Sequence, residues 1–445
     1  MLMQQQSLRG TKNRSLRTLF FILFGAIFLC CGGKKAHPTA LNQPGSTSEK
    51  AETILPDSIV RFPSYSLFRP ADITDTGTVA LLVLLDPQGQ GELPLKKYRN
   101  LVSGKHILLA GSNQCRNGMR PDEAQPIVSS LITDVKARFP QKKLVVFLAG
   151  FSGGAVLALE LSKSIPDVQG LLYAAAPGNN LPTVPAIGFA GLGDPNFRDM
   201  QIRESQLSAE QPHFLSFWKG KHEWPDENTM VFAFQWMEAK VSPEKTGPFF
   251  EACLKENQLD CIYSCKDAKW RKLAFLSLSL NQKSDAPASL DAYLKSPESS
   301  KLRTVLAQEI KMEMAQKSAY QQAFFEKNPD WWREEYQKIT LKKPVPWENQ
   351  RMLGFLSLLA YSASTQAIKM NDTDRAAKFI STYSIVDPEN PEPAYLQAVL
   401  LAKQSRPEPC RKFIQEAIRL GFSDIGRIQK QPEFRGMGLE SLLSK

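Results

Sequence analysis

The chain is short of histidine. Only four stand in 445 residues, His37, His106, His213 and His222. That excludes a histidine-rich metal centre and confines any imidazole chemistry to one of these four. Cysteine is sparse too. Of the seven, Cys30 and Cys31 close an apolar leader, and Cys115 and Cys410 stand alone. Cys253, Cys261 and Cys265 lie close together on a stretch with helical spacing. Without a histidine nearby they are too few for a metal site, and read either as buried thiols or, outside the cytoplasm, as containing one bridged pair. Neither a metal nor an organic cofactor is expected. A dense Lys/Arg tract is also missing. The net charge of +10 includes Arg9, Lys12, Arg14 and Arg17 in a leader free of acids, which leaves +6 (10 − 4) for the rest of the chain. Charge spread so thinly does not describe a nucleic-acid-binding surface.

The apolar stretch LFFILFGAIFLCC covers the 13 residues from Leu19 to Cys31. That is too short to cross a hydrocarbon core of about 30 Å as a helix, but it has the length of a signal-peptide core behind a basic start. The run ends in Cys-Cys-Gly-Gly-Lys-Lys and resembles a bacterial lipoprotein signal, which is cut before a cysteine that is then diacylated. Cys31 is the expected lipidation site, since Gly32 follows it and the compact Cys30 precedes it. Phe28, where Leu is usual, leaves Cys30 as the alternative site, and an uncleaved membrane anchor is the other reading of the segment. Residues 1–31 then form the signal. Residues 32–56, rich in Pro, Gly, Ser and charge, form a flexible tether. The expected location is a bacterial cell envelope, lipid-anchored to a membrane.

The remaining length suggests two or three domains, and its character changes once. From 57 to 242, short apolar runs (79–86, 106–111, 143–150, 170–177, 186–194 and 213–222) alternate with amphipathic segments such as 123–139 and 153–165. Continuous rather than alternating apolar runs mark strands buried on both faces, so the pattern predicts an α/β unit with a doubly wound, mostly parallel sheet. Ligands of such sheets sit beyond the carboxyl ends of the strands. From 245 to 445 strand-like runs vanish and helical spacing takes over. A 34-residue offset relates Ser364, Ala376, Tyr383 and Pro388 to Ala398, Cys410, Ala417 and Phe422. Such offsets resemble tetratricopeptide-type helical repeats, most clearly over 360–430, although the usual Trp and Tyr marks are missing. An irregular helical domain is the alternative. Either kind of module suits a protein partner better than chemistry.

Gly150-Phe151-Ser152-Gly153-Gly154 follows an apolar run and opens a helical one. A nucleophile elbow needs such a serine on a tight strand-to-helix turn, with glycines relieving the crossing. An ordinary glycine-rich βα turn would read the same way. The histidines favour the elbow. His106 and His213 open strands at the end away from the site and His37 lies in the tether, so His222, after the last apolar run, is the expected base. The acid should fall between nucleophile and base. Asp194 fits at the end of AIGFAGLGD, with Asp199, Glu223 and Asp226 as competitors.

The blocks SYSLFRPADI (64–73), LLDPQGQG (84–91), AGSNQCRNG (110–118), AGFSGGA (149–155), AGLGDPNFRDM (190–200) and GKHEWP (220–225) together resemble serine esterases of the α/β-hydrolase superfamily, of the dienelactone-hydrolase-like and polyhydroxybutyrate-depolymerase-like kinds. The resemblance implies ester cleavage through Ser152, Asp194 and His222, with an oxyanion held by the N–H groups of Gly153 and Gln90. One departure is Gln88-Gly89, where such proteins often carry His-Gly. Only eight residues, Gly178 to Pro185, stand where a lid would be inserted, so an open site for a short acyl group or a polymer-linked ester is expected. Asn113, Arg116 and Asn117 could line its mouth, or simply form a turn. Trp218 and Trp224 flank His222 and could wall the pocket, although Trp218 reads equally well as core. A non-catalytic lipoprotein using this fold as a scaffold, and a serine peptidase or acyltransferase, are the rival readings.

Overall fold

The computed structural model describes residues 55–73, 77–256, 265–439 and 442. The leader, the lipidation candidates Cys30 and Cys31, nearly all of the tether with His37, and Cys261 lie outside them. Eight strands form one sheet: β1 (Ser58–Arg61), β2 (Tyr65–Arg69), β3 (Gly77–Leu85), β4 (Ile107–Ser112), β5 (Lys142–Phe151), β6 (Val168–Ala174), β7 (Ala186–Gly191) and β8 (His213–Trp218). Their spatial order is β1-β2-β4-β3-β5-β6-β7-β8. The last six in that order run parallel, while β1 and β2 are antiparallel at one edge.

The continuous apolar runs follow from burial on both faces. In β3, Val79, Leu81, Val83 and Leu85 enter one core while Ala80, Leu82 and Leu84 enter the other. The first core is covered by α2 (Pro121–Arg138) and α3 (Gly153–Ser164), the second by α1 (Glu92–Tyr98) and α5 (Glu227–Val241). Right-handed crossovers between parallel strands put helices on both faces in this way. The first two strands escaped the apolar reading. They pair antiparallel at the edge, and Ile59 and Arg61 of β1 stay partly exposed there.

The second core does not stop at residue 245. Phe250 and Cys253 of α6 (Pro243–Lys255) and Leu273, Phe275 and Leu276 of α7 (Cys265–Leu280) belong to it. Packing against the sheet therefore continues past the compositional change at 242–245, because these helices carry apolar residues that only the sheet face can bury. Cys115, Cys253 and Cys410 are buried free thiols.

After α8 (Ala286–Leu294) come the long α9 (Pro297–Glu326), then α10 (Pro329–Ile339), α11 (Trp347–Lys369), α12 (Thr373–Val386), α13 (Glu392–Lys403), α14 (Pro407–Arg419) and α15 (Ile425–Lys430). Helices α10 to α15 and the end of α9 enclose a third core. Of the offset-related positions, Ala376, Tyr383, Ala398, Cys410, Ala417 and Phe422 belong to it, Ser364 is buried, and Pro388 is exposed. No helix among the described residues is long and apolar enough to cross a membrane.

The helical half meets the sheet unit through buried charge. Glu313 of α9 accepts both prongs of Arg351 from α11, at 2.7 and 2.7 Å. It also accepts Arg198 Nε, at 2.8 Å, from α4 (Phe197–Glu204) of the sheet unit. All three side chains are buried. Burial alone would raise the Glu313 carboxyl, but the hydrogen bonds from Arg351 and Arg198 outweigh it and hold it below its ordinary value. For a depressed carboxylate, the stabilisation is complete above the unfolded value and fades as pH falls through the folded one. The thermal midpoint of the wild type should therefore fall more steeply than that of Glu313→Gln as pH drops below the ordinary glutamate value of 4.5. At neutral pH the variant should already be weaker by about 3 kcal/mol, because it leaves buried cations without their counter-charge. Calorimetry across pH checks both.

Candidate functional site

Strand β5 turns into α3 at Ser152. A Cβ on Gly150 would stand 2.1 Å from the Gly154 carbonyl oxygen, and one on Gly154 would stand 1.9 Å from that of Leu85. No larger residue fits this crossing. Ser152 itself lies at φ 52, ψ −121, a region that costs a non-glycine residue about 1–3 kcal/mol. Its backbone is held there by N–H donation to the Ala174 carbonyl at 2.9 Å, while its own carbonyl accepts Ala155 N–H.

The side chain is turned away from helix capping and meets His222. His222 Nε2 lies 3.0 Å from Ser152 Oγ, and His222 Nδ1 lies 3.0 Å from Asp194 Oδ2. Asp194 is 1% exposed and receives Asn196 N–H on its other oxygen at 2.7 Å. The three chain segments beyond β5, β7 and β8 are thus joined by hydrogen bonds from hydroxyl to imidazole to carboxylate. The Asp194 loop and the His222 loop are also tied by backbone, with Leu192 N–H on Trp218 O at 2.9 Å and Gly193 N–H on Gly220 O at 2.8 Å. The competing acids are engaged elsewhere. Asp226 caps α5 through Thr229 N–H, Glu223 accepts Lys221 N–H, and Asp199 faces Lys317 at 3.7 Å. Burial raises the Asp199 carboxyl above its ordinary value.

The ring of His222 rests against Phe151, centroids 5.0 Å apart, and Phe151 in turn against Trp224 at 5.7 Å. Trp224 is buried and donates its indole N–H to Asp86 Oδ2 at 3.0 Å. Trp218 is also buried, against the Gly220 backbone. The other oxygen of Asp86 shapes the loop after β3. It accepts Gln88 N–H at 2.9 Å and faces Gln90 N–H at 3.4 Å. Gln90 N–H is therefore directed at Asp86 by a long bond, not left open as the sequence led one to expect. Gly153, the first residue of α3, has an N–H with no partner inside the helix.

Asn117 is exposed beside this N–H. A Cβ on Gly153 would stand 2.2 Å from its amide oxygen, so the side chain lies directly on the turn. Asn113 instead anchors its loop, donating to Phe62 O at 3.2 Å. With Gln90 it lines a cavity of about 490 Å³, walled by the Arg61–Glu92–Lys96 ion cluster. Arg116 is exposed in the same turn as Asn117. His213 lies at the opposite end of the sheet, buried with its ring nitrogens 2.6 Å from Tyr173 Oη and 2.6 Å from Glu204 Oε2. Among the described residues no group of three or more His, Cys, Asp or Glu is arranged to hold a metal ion.

Sequence reasoning missed three features here. Asp86 organises the loop after β3, Phe151 backs the imidazole, and residues of α9 and α11 touch the Asp194 loop. Only Phe151, inside the glycine motif, carried a local signal.

No protein-family model and no curated protein matches the chain. Among solved structures similar to it is one from Agrobacterium tumefaciens, described as a protein of unknown function and a candidate α/β hydrolase. The two share 13% identity with a TM-score of 0.33, over 42% of this chain and 98% of that one.

The positive φ at Ser152 makes a comparison between two variants that lack the hydroxyl informative. Alanine keeps the strain, whereas glycine adopts this region freely. Ser152→Gly should be more stable than Ser152→Ala by about 1 kcal/mol, read as a higher urea midpoint at equal slope.

Proposed function

We propose that this chain is a serine hydrolase of the α/β-hydrolase kind that cleaves carboxylic esters through an acyl-enzyme. The observation that carries the reading is the unbroken pair of hydrogen bonds, 3.0 and 3.0 Å, from Ser152 through His222 to the buried Asp194, on a serine held at positive φ. An ordinary βα turn requires neither.

His222 takes the Ser152 proton as Oγ attacks the ester carbonyl. Asp194 fixes the imidazole tautomer and stabilises the cation that forms. The tetrahedral oxyanion is taken up by Gly153 N–H at the positive end of α3. Gln90 N–H supplies the second donor by exchanging its 3.4 Å bond to Asp86 for a stronger one to the oxyanion. His222 then returns its proton to the leaving alkoxide, and water repeats the sequence on the acyl-enzyme. Residues 175–185, between β6 and β7, hold no helix. That supports an open approach suited to a short acyl group or an ester on a larger polymer. In this reading the lipid carried by Cys31 once the leader is cut anchors the enzyme to an envelope membrane, and the helical half carries repeats of the tetratricopeptide kind.

A fluorophosphonate probe and p-nitrophenyl esters of increasing acyl length test the proposal. Wild type should label at Ser152 and turn over esters, Ser152→Ala should do neither, and Asp194→Asn should lose about 10⁴ in kcat. A correctly folded wild type as unreactive as Ser152→Ala would sink the reading.

A further inference from the structure

We infer that the helical half completes the catalytic site: Arg351 and Lys317 are positioning residues that hold the Asp194 loop so that the carboxylate meets His222. The inference rests on the hydrolase reading above and adds to it a dependence on a part of the chain remote in sequence.

Asp194 is not on a strand. It sits in the loop between β7 and α4, so no ladder fixes its peptide planes. The N–H groups of the loop are bonded within the sheet unit, by Leu192 to Trp218, Gly193 to Gly220 and Asp194 to Gly191. The carbonyls on either side of the acid are gripped from outside. Arg351 Nη1 of α11 donates to Leu192 O at 2.7 Å, and Lys317 Nζ of α9 donates to Pro195 O. Both cations are 4% exposed. Arg351 cannot drift, because Glu313 holds its other two nitrogens, and its guanidinium lies 4.9 Å over the ring of Phe197, the residue that opens α4. Glu313 also holds Arg198 on α4. One carboxylate therefore joins α9, α11 and the helix that follows the acid loop. The backbones approach closely as well. A Cβ on Gly354 of α11 would stand 3.1 Å from Pro195 Cδ, and one on Gly193 would stand 3.2 Å from Gln350 Oε1.

Stability alone is a poor account of this arrangement. A buried ion network returns little net free energy over apolar packing of the same volume, and an apolar contact would seal the seam as well. Directed donors do what apolar side chains cannot. They fix the orientation of the 192–193 and 195–196 peptides, which bracket Asp194 one residue out on either side, and an error of about 1 Å in a group so placed costs on the order of 10²-fold in rate.

The charged groups around the acid loop and His222 include Arg198 and Asp199 from α4, Lys221 and Glu223 from the His222 loop, Glu309, Glu313 and Lys317 from α9, and Arg351 from α11. Full-length Arg351→Met, Arg351→Lys and Lys317→Met would be compared with Arg427→Met. The last removes a part-buried Arg–Glu pair with Glu392 in the helical half, away from the acid loop. Ester kinetics give kcat and KM. Ring NMR of selectively labelled histidine follows the His222 titration whether or not the protein turns over, with the resonance assigned by His222→Gln.

Arg351→Met should lower kcat on the order of 10²-fold with KM little changed. It should also move the His222 titration, and with it the acid limb of kcat/KM, to lower pH, since a slackened carboxylate supports the imidazolium less. Lys317→Met should move both in the same direction, and Arg351→Lys should recover part of the loss. Arg427→Met should lower the melting midpoint and leave kcat and the His222 titration alone. Should Arg351→Met fail to fold, Arg351→Lys and Lys317→Met carry the same comparison. The inference is overturned if these variants keep the wild-type His222 titration and kcat, or if Arg427→Met changes them equally. A wild type that never labels at Ser152 while Arg351 still governs the His222 titration would remove the hydrolase reading and leave the coupling.

Discussion

Two backbone contacts at the carboxyl edge of the sheet govern everything built upon it. Gly154 packs against the Leu85 carbonyl, and Gly91 packs against the Gly111 carbonyl, each at a distance where a Cβ would stand about 2 Å from the oxygen, 1.9 and 2.1 Å respectively. The first pins the start of α3 to the end of β3, and the second pins the start of α1 to the end of β4. Between them runs the loop 86–90, drawn together by Asp86. Close approach of this kind leaves backbone N–H groups fixed in space at no side-chain cost, which is the condition for stabilising charge that appears only during a reaction. A side chain at Gly154 would push α3 off the end of β3, and one at Gly91 would push α1 off the end of β4.

The site is assembled from parts with different degrees of support. Ser152 joins a parallel strand with a buried end to a largely buried helix. His222 stands on a loop, backed by Phe151 and Trp224, and stays partly exposed, 19% at the side chain. Asp194 is the most enclosed of the three and the least supported by regular structure of its own. That contrast explains why its loop draws contacts from so far along the chain. Long-range packing takes over where local hydrogen bonding leaves an element under-determined.

Most of the sheet was legible. Six parallel strands appear in the sequence as apolar runs because each faces two cores, and the serine, acid and base could be ordered because each follows such a run. Strands β1 and β2 were not legible as strands: β1 is a partly exposed edge of four residues, and β2, though its residues enter both cores, is only five residues long and carries Tyr65, Ser66 and Arg69 among its apolar positions. The compositional change near 245 marks where strands cease, but α6 and α7 continue the second core beyond it. Amphipathic helices bear the same pattern whether their apolar stripe meets a sheet or another helix. For the same reason the offsets between Ala376 and Cys410 or Tyr383 and Ala417 locate buried helix positions and do not name the partner helices.

What the sequence determined by itself is local and periodic: which segments are strands or helices, where a glycine-flanked serine turns, and which histidine follows the last strand. These follow from side-chain alternation and backbone sterics within a few residues. What only the tertiary structure decided is which groups meet. The selection of Asp194 over Asp199, Glu223 and Asp226, and the grip of Lys317 and Arg351 on the acid loop, depend on contacts between residues 28 to 159 positions apart. No periodicity records such distances, because they are set by how three cores pack and not by any one segment's preference.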